Sequence, residues 1–348
     1  MPVERIQIAA QKILLGRLAE SLAQLKLGGR ILVLGSARGG AIADWPAALP
    51  DRQVTIFAGA REHNPAAVVE EAVARASDCR PDHLLAIGGG SVIDLAKAVA
   101  VQNPTPIVAV PTTLGGAEMT RVYGFRRDDG IKDGGAGAAC LPASVCYDPQ
   151  LLESLPFQHL AASGMNALAH AIEARYARRR HWLAIAAADR AGAALPDLLI
   201  AARNGRDTAL HSRLFEAACL AGFALNGAGM GLHHAICHVL GGLTGLSHGA
   251  LNAVVLPAAV AANHRLAPDD VARVATGFDV ADLPGSIASL VKALDLPPSL
   301  AALGVDESVL EAAVPLIGRS HHMTNNPAVL DGGAIRAVLD QAYRGYGH

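Results

Sequence analysis

The chain has 348 residues, of which 51% are hydrophobic and 4% are aromatic, enough for two ordinary domains with full cores. Its formal net charge is -2, with lysine and arginine scattered along the chain, which argues against nucleic acid and membranes as partners. The five cysteines form no C-x-x-C pair and no cleavable apolar leader follows Met1, so we expect a reduced, cytoplasmic protein.

Short runs of β-branched residues alternate with helical segments in the first half of the chain. The runs cover residues 31–34, 54–57, 83–87 and 106–110. This alternation predicts a parallel sheet with helices on both faces. Ligands of such sheets bind beyond the carboxyl ends of the strands, so we look for binding residues there.

A glycine triplet and a serine follow the third run. Residues 86–97 read A-I-G-G-G-S-V-I-D-L-A-K, in which Gly88, Gly89 and Gly90 precede Ser91. Missing side chains let a backbone approach a ligand closely, and the first amides of the next helix can cradle a phosphate. From the triplet alone, a structural turn without a ligand is an equally good interpretation. Asp94 lies on the opening turn of that helix, where it either reaches a ligand or is a plain helix-start acid.

Helical periodicity replaces the β-branched runs from about residue 151 onward. Alanine and leucine dominate residues 166–177, 182–202 and 210–224, which predicts that the second half is almost entirely helical. A sheet domain followed by a helical domain leaves a cleft between the two. We expect the reaction site in that cleft.

Four histidines and an asparagine recur at helical spacing in this apolar half. Asn166 and His170 lie four residues apart, so one helix face carries both. His238 lies one helical turn after His234, and His248 follows in the next segment. Imidazole and amide groups gathered at one point can bind a metal ion or transfer protons. The family resemblance described below implies that these five residues share one site.

Isolated histidines in apolar helices are usually satisfied core residues rather than ligands. That is the expectation for His181, His233, His321 and His322. The same interpretation does not account for the combined spacing of the other four histidines and Asn166.

These motifs resemble those of the iron-type alcohol dehydrogenase family. The pieces S-G-M-N-A-L-A-H, L-H-H-A-I-C-H-V-L-G-G and L-S-H-G-A match its metal site, with Asn166 where the carboxylate ligand stands. An amide replaces Asp poorly on Zn²⁺ or Fe²⁺. We therefore expect a vestigial site, at Asn166, His170, His234 and His248, without metal. The maleylacetate reductase branch of the family shows the same amide pattern and works without metal.

The resemblance implies a dehydroquinate synthase-like fold, in which a Rossmann-like parallel-sheet domain precedes an all-helical domain. Residues 145–156, V-C-Y-D-P-Q-L-L-E-S-L-P, resemble the family's connection between the two. We accordingly predict a dinucleotide-binding domain over residues 1–152 and a helical catalytic domain over residues 153–348. A homodimer is the family's implied assembly.

The resemblance also assigns cofactor contacts. Residues 110–120, V-P-T-T-L-G-G-A-E-M-T, resemble the loop that covers the nicotinamide and its phosphates, which assigns cofactor contacts to Thr112, Thr113 and Gly116. Dehydrogenases that exclude NADP often carry an acid after the first strand, where this chain has Ser36 with Arg38 close by. We expect both NADH and NADPH to be accepted.

The implied reaction is the reduction of maleylacetate to 3-oxoadipate, a step in the breakdown of aromatic compounds. Hydride would reach the alkene carbon β to the ketone. Stabilisation of the enolate and supply of a proton then fall to Asn166, His170, His234, His238 and His248. The proton donor stays open between His234 and His238. Arg121 is a candidate for binding a substrate carboxylate, although a solvent-facing arginine is the commoner case.

Two alternative functions stay open. Residues 249–257, G-A-L-N-A-V-V-L-P, are closer to metal-dependent alcohol dehydrogenases, which reduce an aldehyde or ketone by Lewis-acid polarisation. Such an enzyme would have to tolerate Asn166 as a ligand. The second alternative is a non-redox biosynthetic relative that uses the same cleft, because one fold hosts several chemistries.

Overall fold

The computed structural model of the chain describes residues 11–37, 49, 51–127 and 132–346. Its first half is built on a six-stranded parallel sheet in the order β1-β8-β5-β4-β2-β3. The strands of this sheet are β1 (Lys12–Leu15), β2 (Arg30–Leu34), β3 (Gln53–Phe57), β4 (His83–Gly88), β5 (Ile107–Pro111) and β8 (Ser144–Tyr147). Three helices accompany them: α1 (Leu18–Leu25), α2 (Ala66–Cys79) and α3 (Gly90–Gln102). The predicted parallel sheet with helices is confirmed.

The four predicted runs correspond to β2, β3, β4 and β5, which include the buried centre of the sheet. The sequence analysis did not identify β1 and β8, or the antiparallel hairpin of β6 (Val122–Arg126) and β7 (Lys132–Ala136). β1 is a largely exposed edge strand of four residues, so it lacks a long apolar run. The hairpin is rich in glycine and polar residues, which also hides it from a pattern search.

The second half is helical, as predicted. The described helices are α4 (Phe157–Tyr176), α5 (Trp182–Asn204), α6 (Thr208–Ala228), α7 (Leu232–Thr244), α8 (His248–Leu266), α9 (Pro268–Phe278), α10 (Leu283–Ala293), α11 (Glu307–Gly318) and α12 (Gly332–Arg344). Small residues let them approach closely: a Cβ on Gly192 of α5 would lie 2.0 Å from the Phe278 ring of α9. The domain boundary predicted between residues 152 and 153 falls in the connection between β8 and α4.

Long apolar helices in this half pack into the protein core. No single described helix is long and apolar enough to cross a membrane. Two consecutive helices, Thr208–Ala228 and Leu232–Thr244, are together long and apolar enough to cross a membrane, but the chain bends by 98° between them.

A buried ammonium group links α3, the helix that follows the glycine triplet, to residues 117–122. Lys97 of α3 is fully buried, and its Nζ donates to the carbonyl oxygens of Ala117 and Val122, each at 2.7 Å. A third hydrogen bond goes to Thr120 Oγ1 at 3.0 Å. The Asp94 carboxylate lies 3.5 Å from the same nitrogen. All three donors of the ammonium group are therefore used to hold residues 117–122 against α3.

We expect Lys97→Met to lower the free energy of unfolding by about 3 kcal/mol, because it leaves two carbonyls and a hydroxyl without their buried donor. Urea denaturation monitored by far-ultraviolet circular dichroism measures this change. Lys292→Met, at an exposed position of α10, is the matched control. Equal urea midpoints for the two variants would contradict the structural role of Lys97.

Candidate active site

A cavity of about 750 Å³ lies where the sheet and the helical half meet, and we call it the central cavity. From the sheet side, its wall includes Gly90, Ser91, Asp94 and Thr113. From the helical side, it includes Asn166, His170, His234, His238 and His248. Residues separated by more than 150 positions thus face one space, at the carboxyl ends of β4 and β5.

The glycine-rich turn forms one end of the central cavity. Gly88 has a φ of +154°, and a Cβ there would lie 2.5 Å from Val92 Cγ2, so a side chain cannot be accommodated. No side chain caps the N-terminus of α3, which begins at Gly90. The first amides of a helix have no partner within that helix, so this end is suited to a phosphate. A nucleotide pyrophosphate fits these residues.

Other predicted cofactor residues lie around this turn with different roles. The Thr112 N–H donates to the Gly88 carbonyl at 3.1 Å, which joins β5 to the turn. Thr113 lines the central cavity beside the turn, since a Cβ on Gly89 would lie 3.1 Å from Thr113 Cγ2. Asp94 lines the cavity as well, and it accepts from the Gly124 N–H at 3.3 Å as well as facing Lys97.

Ser36, Arg38 and Arg121 are not among the described residues that line the central cavity, and the predicted residues Gly88, Gly89, Thr112 and Gly116 are not lining residues either. Ser36 forms an isolated bridge with Gly59 beyond β2. Arg38 lies outside the described residues. The Arg121 backbone N–H donates to Asn226 Oδ1 at 3.1 Å, and Arg121 is not among the described lining residues.

The four predicted histidines come together as one cluster. The ring centroids of His170 and His234 are 5.0 Å apart, and those of His234 and His248 are 6.2 Å apart. His238 lies 6.1 Å from His234 and 5.3 Å from His248. Gly116, at a φ of +73°, lets the preceding loop reach this cluster, because a Cβ there would lie 3.1 Å from His170 Nδ1.

Asn166 lines the central cavity, but both polar atoms of its amide form hydrogen bonds within the protein. Its Nδ2 donates to the Gly115 carbonyl at 3.0 Å, and its Oδ1 accepts from Asn252 Nδ2 at 2.6 Å. Ser163, one helical turn earlier on α4, accepts from the Leu114 N–H at 3.2 Å. α4 therefore holds the loop of residues 113–116 at two points.

Glu173 is the residue of this site that the sequence analysis missed. It lies on α4 three positions after His170 and is fully buried. Its carboxylate accepts from the backbone N–H groups of Gly231 and His233, both at 2.8 Å, and from His234 Nδ1 at 2.7 Å. The sequence did contain a signal for Glu173, since it lies among apolar residues of a helix. A buried carboxylate there needs hydrogen-bond partners, which makes it a candidate site residue.

The hydrogen bonds around His233 fix where His234 carries a proton. Burial and the neighbouring His234 lower the pKa of His233 to about 3, so this ring is neutral. His233 Nε2 lies 3.1 Å from the Asn252 carbonyl, which can only accept, so Nε2 carries the single proton. His233 Nδ1 is then an acceptor, and it lies 3.3 Å from His234 Nδ1.

His234 Nδ1 consequently faces two acceptors, the His233 ring and the Glu173 carboxylate. Burial by itself raises the pKa of Glu173, but the His234 and His233 imidazoles and the Gly231 amide outweigh it and lower that pKa to about 2. The carboxylate is therefore ionised at neutral pH and accepts the Nδ1 proton. His234 Nε2 is buried and has no hydrogen-bond partner among the described residues, so it is the ring nitrogen left for a ligand.

At the family's metal position, Asn166 supplies no anionic ligand, whereas His170 Nδ1 and His234 Nε2 are buried and have no hydrogen-bond partner among the described residues. The Asn166 amide uses its oxygen and its nitrogen within the protein. Of the described residues, only Glu173, His233 and His234 bring three metal-type donor atoms within 4.8 Å of one another. Those atoms are already bonded to each other and to backbone groups, as the preceding distances show. The arrangement is a hydrogen-bonded cluster rather than an open coordination site.

Other lining residues also escaped the sequence analysis. His321 and His322 were expected to be core histidines, yet both line the central cavity, and the His322 ring lies 5.2 Å from His238. His233, by contrast, is buried outside the lining, as expected. His181 has a further role: its Nδ1 accepts from the Ala184 N–H and caps α5. His321 and His322 lie in a short 3-10 helix. No local sequence pattern shows that this helix packs close to α7.

Comparison with known proteins identifies the family. The profile of the iron-containing alcohol dehydrogenases matches residues 8–149, and that of the C-terminal region of the Fe-containing alcohol dehydrogenase family matches residues 160–343. The chain is 38% identical to the maleylacetate reductase of Burkholderia cepacia over 321 residues, which is 91% of this chain and 90% of that protein.

Solved structures agree with this relationship. The maleylacetate reductase of Rhizobium sp. strain MTP-10005 has a TM-score of 0.89 and 32% sequence identity, covering 99% of each chain. The iron-containing alcohol dehydrogenase of Thermotoga maritima has a TM-score of 0.86 and 26% identity, covering 96% of this chain and 98% of that one. The chain therefore belongs to the iron-containing alcohol dehydrogenase family, as an oxidoreductase similar to its maleylacetate reductases.

Proposed function

We propose that the protein reduces maleylacetate to 3-oxoadipate with NADH or NADPH and without a metal ion. The observation that carries this proposal is His234, whose proton on Nδ1 is fixed by Glu173 while Nε2 is left for a ligand beside the cofactor turn. The similarity to maleylacetate reductases supports the choice of substrate.

The substrate site lies between the nicotinamide and the histidine cluster. NAD(P)H supplies the hydride, which goes to the alkene carbon β to the ketone. The first amides of α3 would hold the cofactor pyrophosphate, and Thr113 would contact the cofactor from the adjacent loop. Asn166 orders that loop through Gly115, so the amide positions the cofactor rather than binding metal.

Negative charge builds on the ketone oxygen as hydride arrives. His234 meets that oxygen through Nε2, because its other nitrogen is occupied by Glu173. In the proposed step this ring would first take a proton from solvent onto Nε2, the one nitrogen that Glu173 leaves open, and would then give it to the enolate. The product is the ketone with that proton on its α carbon, and His234 returns to its neutral form. Burial, with His234 and His233 nearby, keeps the pKa of His170 well below its usual value, so His170 is a neutral neighbour. His234 is accordingly our choice of proton donor, with His238 as the alternative.

Ser36 and Arg38 remain the proposed basis for accepting NADPH alongside NADH. A homodimer in the cytoplasm, free of nucleic acid and membrane partners, remains our expectation for the assembly. Arg121 remains a candidate for binding a substrate carboxylate, although it is not among the described residues that line the central cavity.

Oxidation of NADH by maleylacetate should survive exhaustive chelation, because no step of the proposed mechanism passes through a metal. The test compares initial rates before and after chelation, with metal content determined on the same samples. Loss of activity that Zn²⁺ or Fe²⁺ restores would instead support a metal-dependent alcohol dehydrogenase. No oxidation of NADH or NADPH with any enone or aldehyde would favour the non-redox alternative.

Glu173→Gln should lower kcat by about ten- to one-hundred-fold, because a neutral amide oxygen accepts the Nδ1 proton more weakly than a carboxylate and supplies no negative charge beside the His234 ring. Affinity for NADH, measured by fluorescence titration, should stay the same. Glu216→Gln, at an exposed position of α6, is the matched control. An unchanged kcat, or an equal loss of cofactor binding, would be inconsistent with this role of Glu173.

Asn166→Asp should increase the affinity for Zn²⁺ by about tenfold or more, because it places an anionic donor beside three imidazoles. Isothermal titration calorimetry on metal-free protein measures the affinity directly. Asn204→Asp, exposed at the end of α5, controls for the added charge. Equal affinity in Asn166→Asp and the parent protein would show that position 166 is not what excludes metal.

A further inference from the structure

The described lining of the central cavity contains acids and many histidines but no lysine or arginine. Of the described residues that line it, none is a lysine or an arginine, whereas Glu62, Asp94 and Asp133 are acids. The lining histidines are His63, His159, His170, His234, His238, His248, His321 and His322. Among the described lining side chains, the groups that can donate to a substrate with two carboxylates are therefore imidazoles, hydroxyls and amides, none of which carries the fixed positive charge of a lysine or an arginine.

The histidines form a connected series that leads away from the cofactor loop. His170 lies against Gly116, and its ring is 5.0 Å from that of His234. The series continues to His238 at 6.1 Å and from there to His322 at 5.2 Å. His321 ends it, with its ring 3.9 Å from that of His322. His321 and His322 are thus the members farthest along the series from the cofactor loop.

The short helix that carries this pair is anchored by buried polar side chains. Asn325, at its end, donates through Nδ2 to the carbonyls of Ala228 and Met230 at 2.9 and 3.0 Å. Its Oδ1 accepts from the Arg179 N–H at 3.1 Å. At the other end, the Ser320 hydroxyl accepts from the His322 N–H at 3.4 Å. The backbone that presents the two rings is therefore held in place before any ligand binds.

We propose that His322, with His321 beside it, binds the carboxylate that lies beyond the ketone of the substrate. This inference rests on the proposed function. The alkene carbon must face the nicotinamide and the ketone oxygen must reach His234, so the carboxymethyl group on the far side of the ketone extends toward His238 and His322. A carboxylate there accepts N–H groups from the pair.

The state of His322 agrees with this role. Burial, His321 and His234 lower the pKa of His322 to about 4, so the ring is neutral and offers one N–H donor. A hydrogen bond from that donor to a carboxylate corresponds to about a ten- to one-hundred-fold gain in affinity. The pair thus selects a dicarboxylate over a compound that ends at the ketone.

The test compares maleylacetate with cis-4-oxopent-2-enoate, which keeps the enone and one carboxylate but ends in a methyl group beyond the ketone. Steady-state kinetics with NADH are measured for both substrates in the wild type, His322→Leu and His322→Gln. His264→Leu, at an exposed position of α8, is the matched control. His322→Gln keeps a neutral N–H donor, and it serves as the second variant if the leucine variant does not fold.

We expect His322→Leu to raise the KM for maleylacetate by about ten- to one-hundred-fold and to remove most of the wild-type preference over the shorter substrate. His322→Gln should fall between the wild type and His322→Leu. Equal losses on both substrates, or a rise in the KM for NADH instead, would overturn the inference while leaving the proposed function intact. Failure of the wild type to reduce either compound would overturn the proposed function, and the inference with it.

Discussion

The contact between Glu173 and His234 is the interaction on which the rest of the site depends. It joins α4 to the start of α7, because the same carboxylate accepts the backbone N–H groups of Gly231 and His233. A negative charge at a helix N-terminus is stabilising, and a buried donor left without its acceptor costs about 1–3 kcal/mol. One side chain therefore sets the position of α7 and the orientation of the central imidazole.

The same contact is the basis of our proposal that this member of an iron-containing family works without a metal ion. A metal would polarise a substrate oxygen through its own charge, whereas in the proposed mechanism a proton on His234 Nε2 would do so, with the Glu173 carboxylate beside the ring. Asn166 occupies the position of the family's carboxylate ligand, and its amide instead forms hydrogen bonds with Gly115 and Asn252. The absence of a carboxylate at position 166 would also suit a substrate that carries two negative charges.

Much of this arrangement followed from the sequence because the signals were periodic. β-branched runs predicted the central strands, and helical spacing placed Asn166 and His170 on one face of α4. The family resemblance joined these two residues with the histidines of α7 and α8. Glu173 was missed because an acid in a helix normally faces water, and only tertiary packing shows that this one is buried. His321 and His322 were assigned to the core for a similar reason. Their place in the cavity depends on how the 3-10 helix packs against α7.

The most direct test of the account is to locate the proton on His234. Metal-free protein labelled with ¹⁵N-histidine can be studied by NMR at neutral pH, with His234→Gln used to assign the resonance. We predict that Nδ1 of His234 carries a bonded proton in the parent protein, because the Glu173 carboxylate and the neutral His233 ring both accept from it. An Nδ1 without a proton, in a ring protonated only at Nε2, would contradict the account.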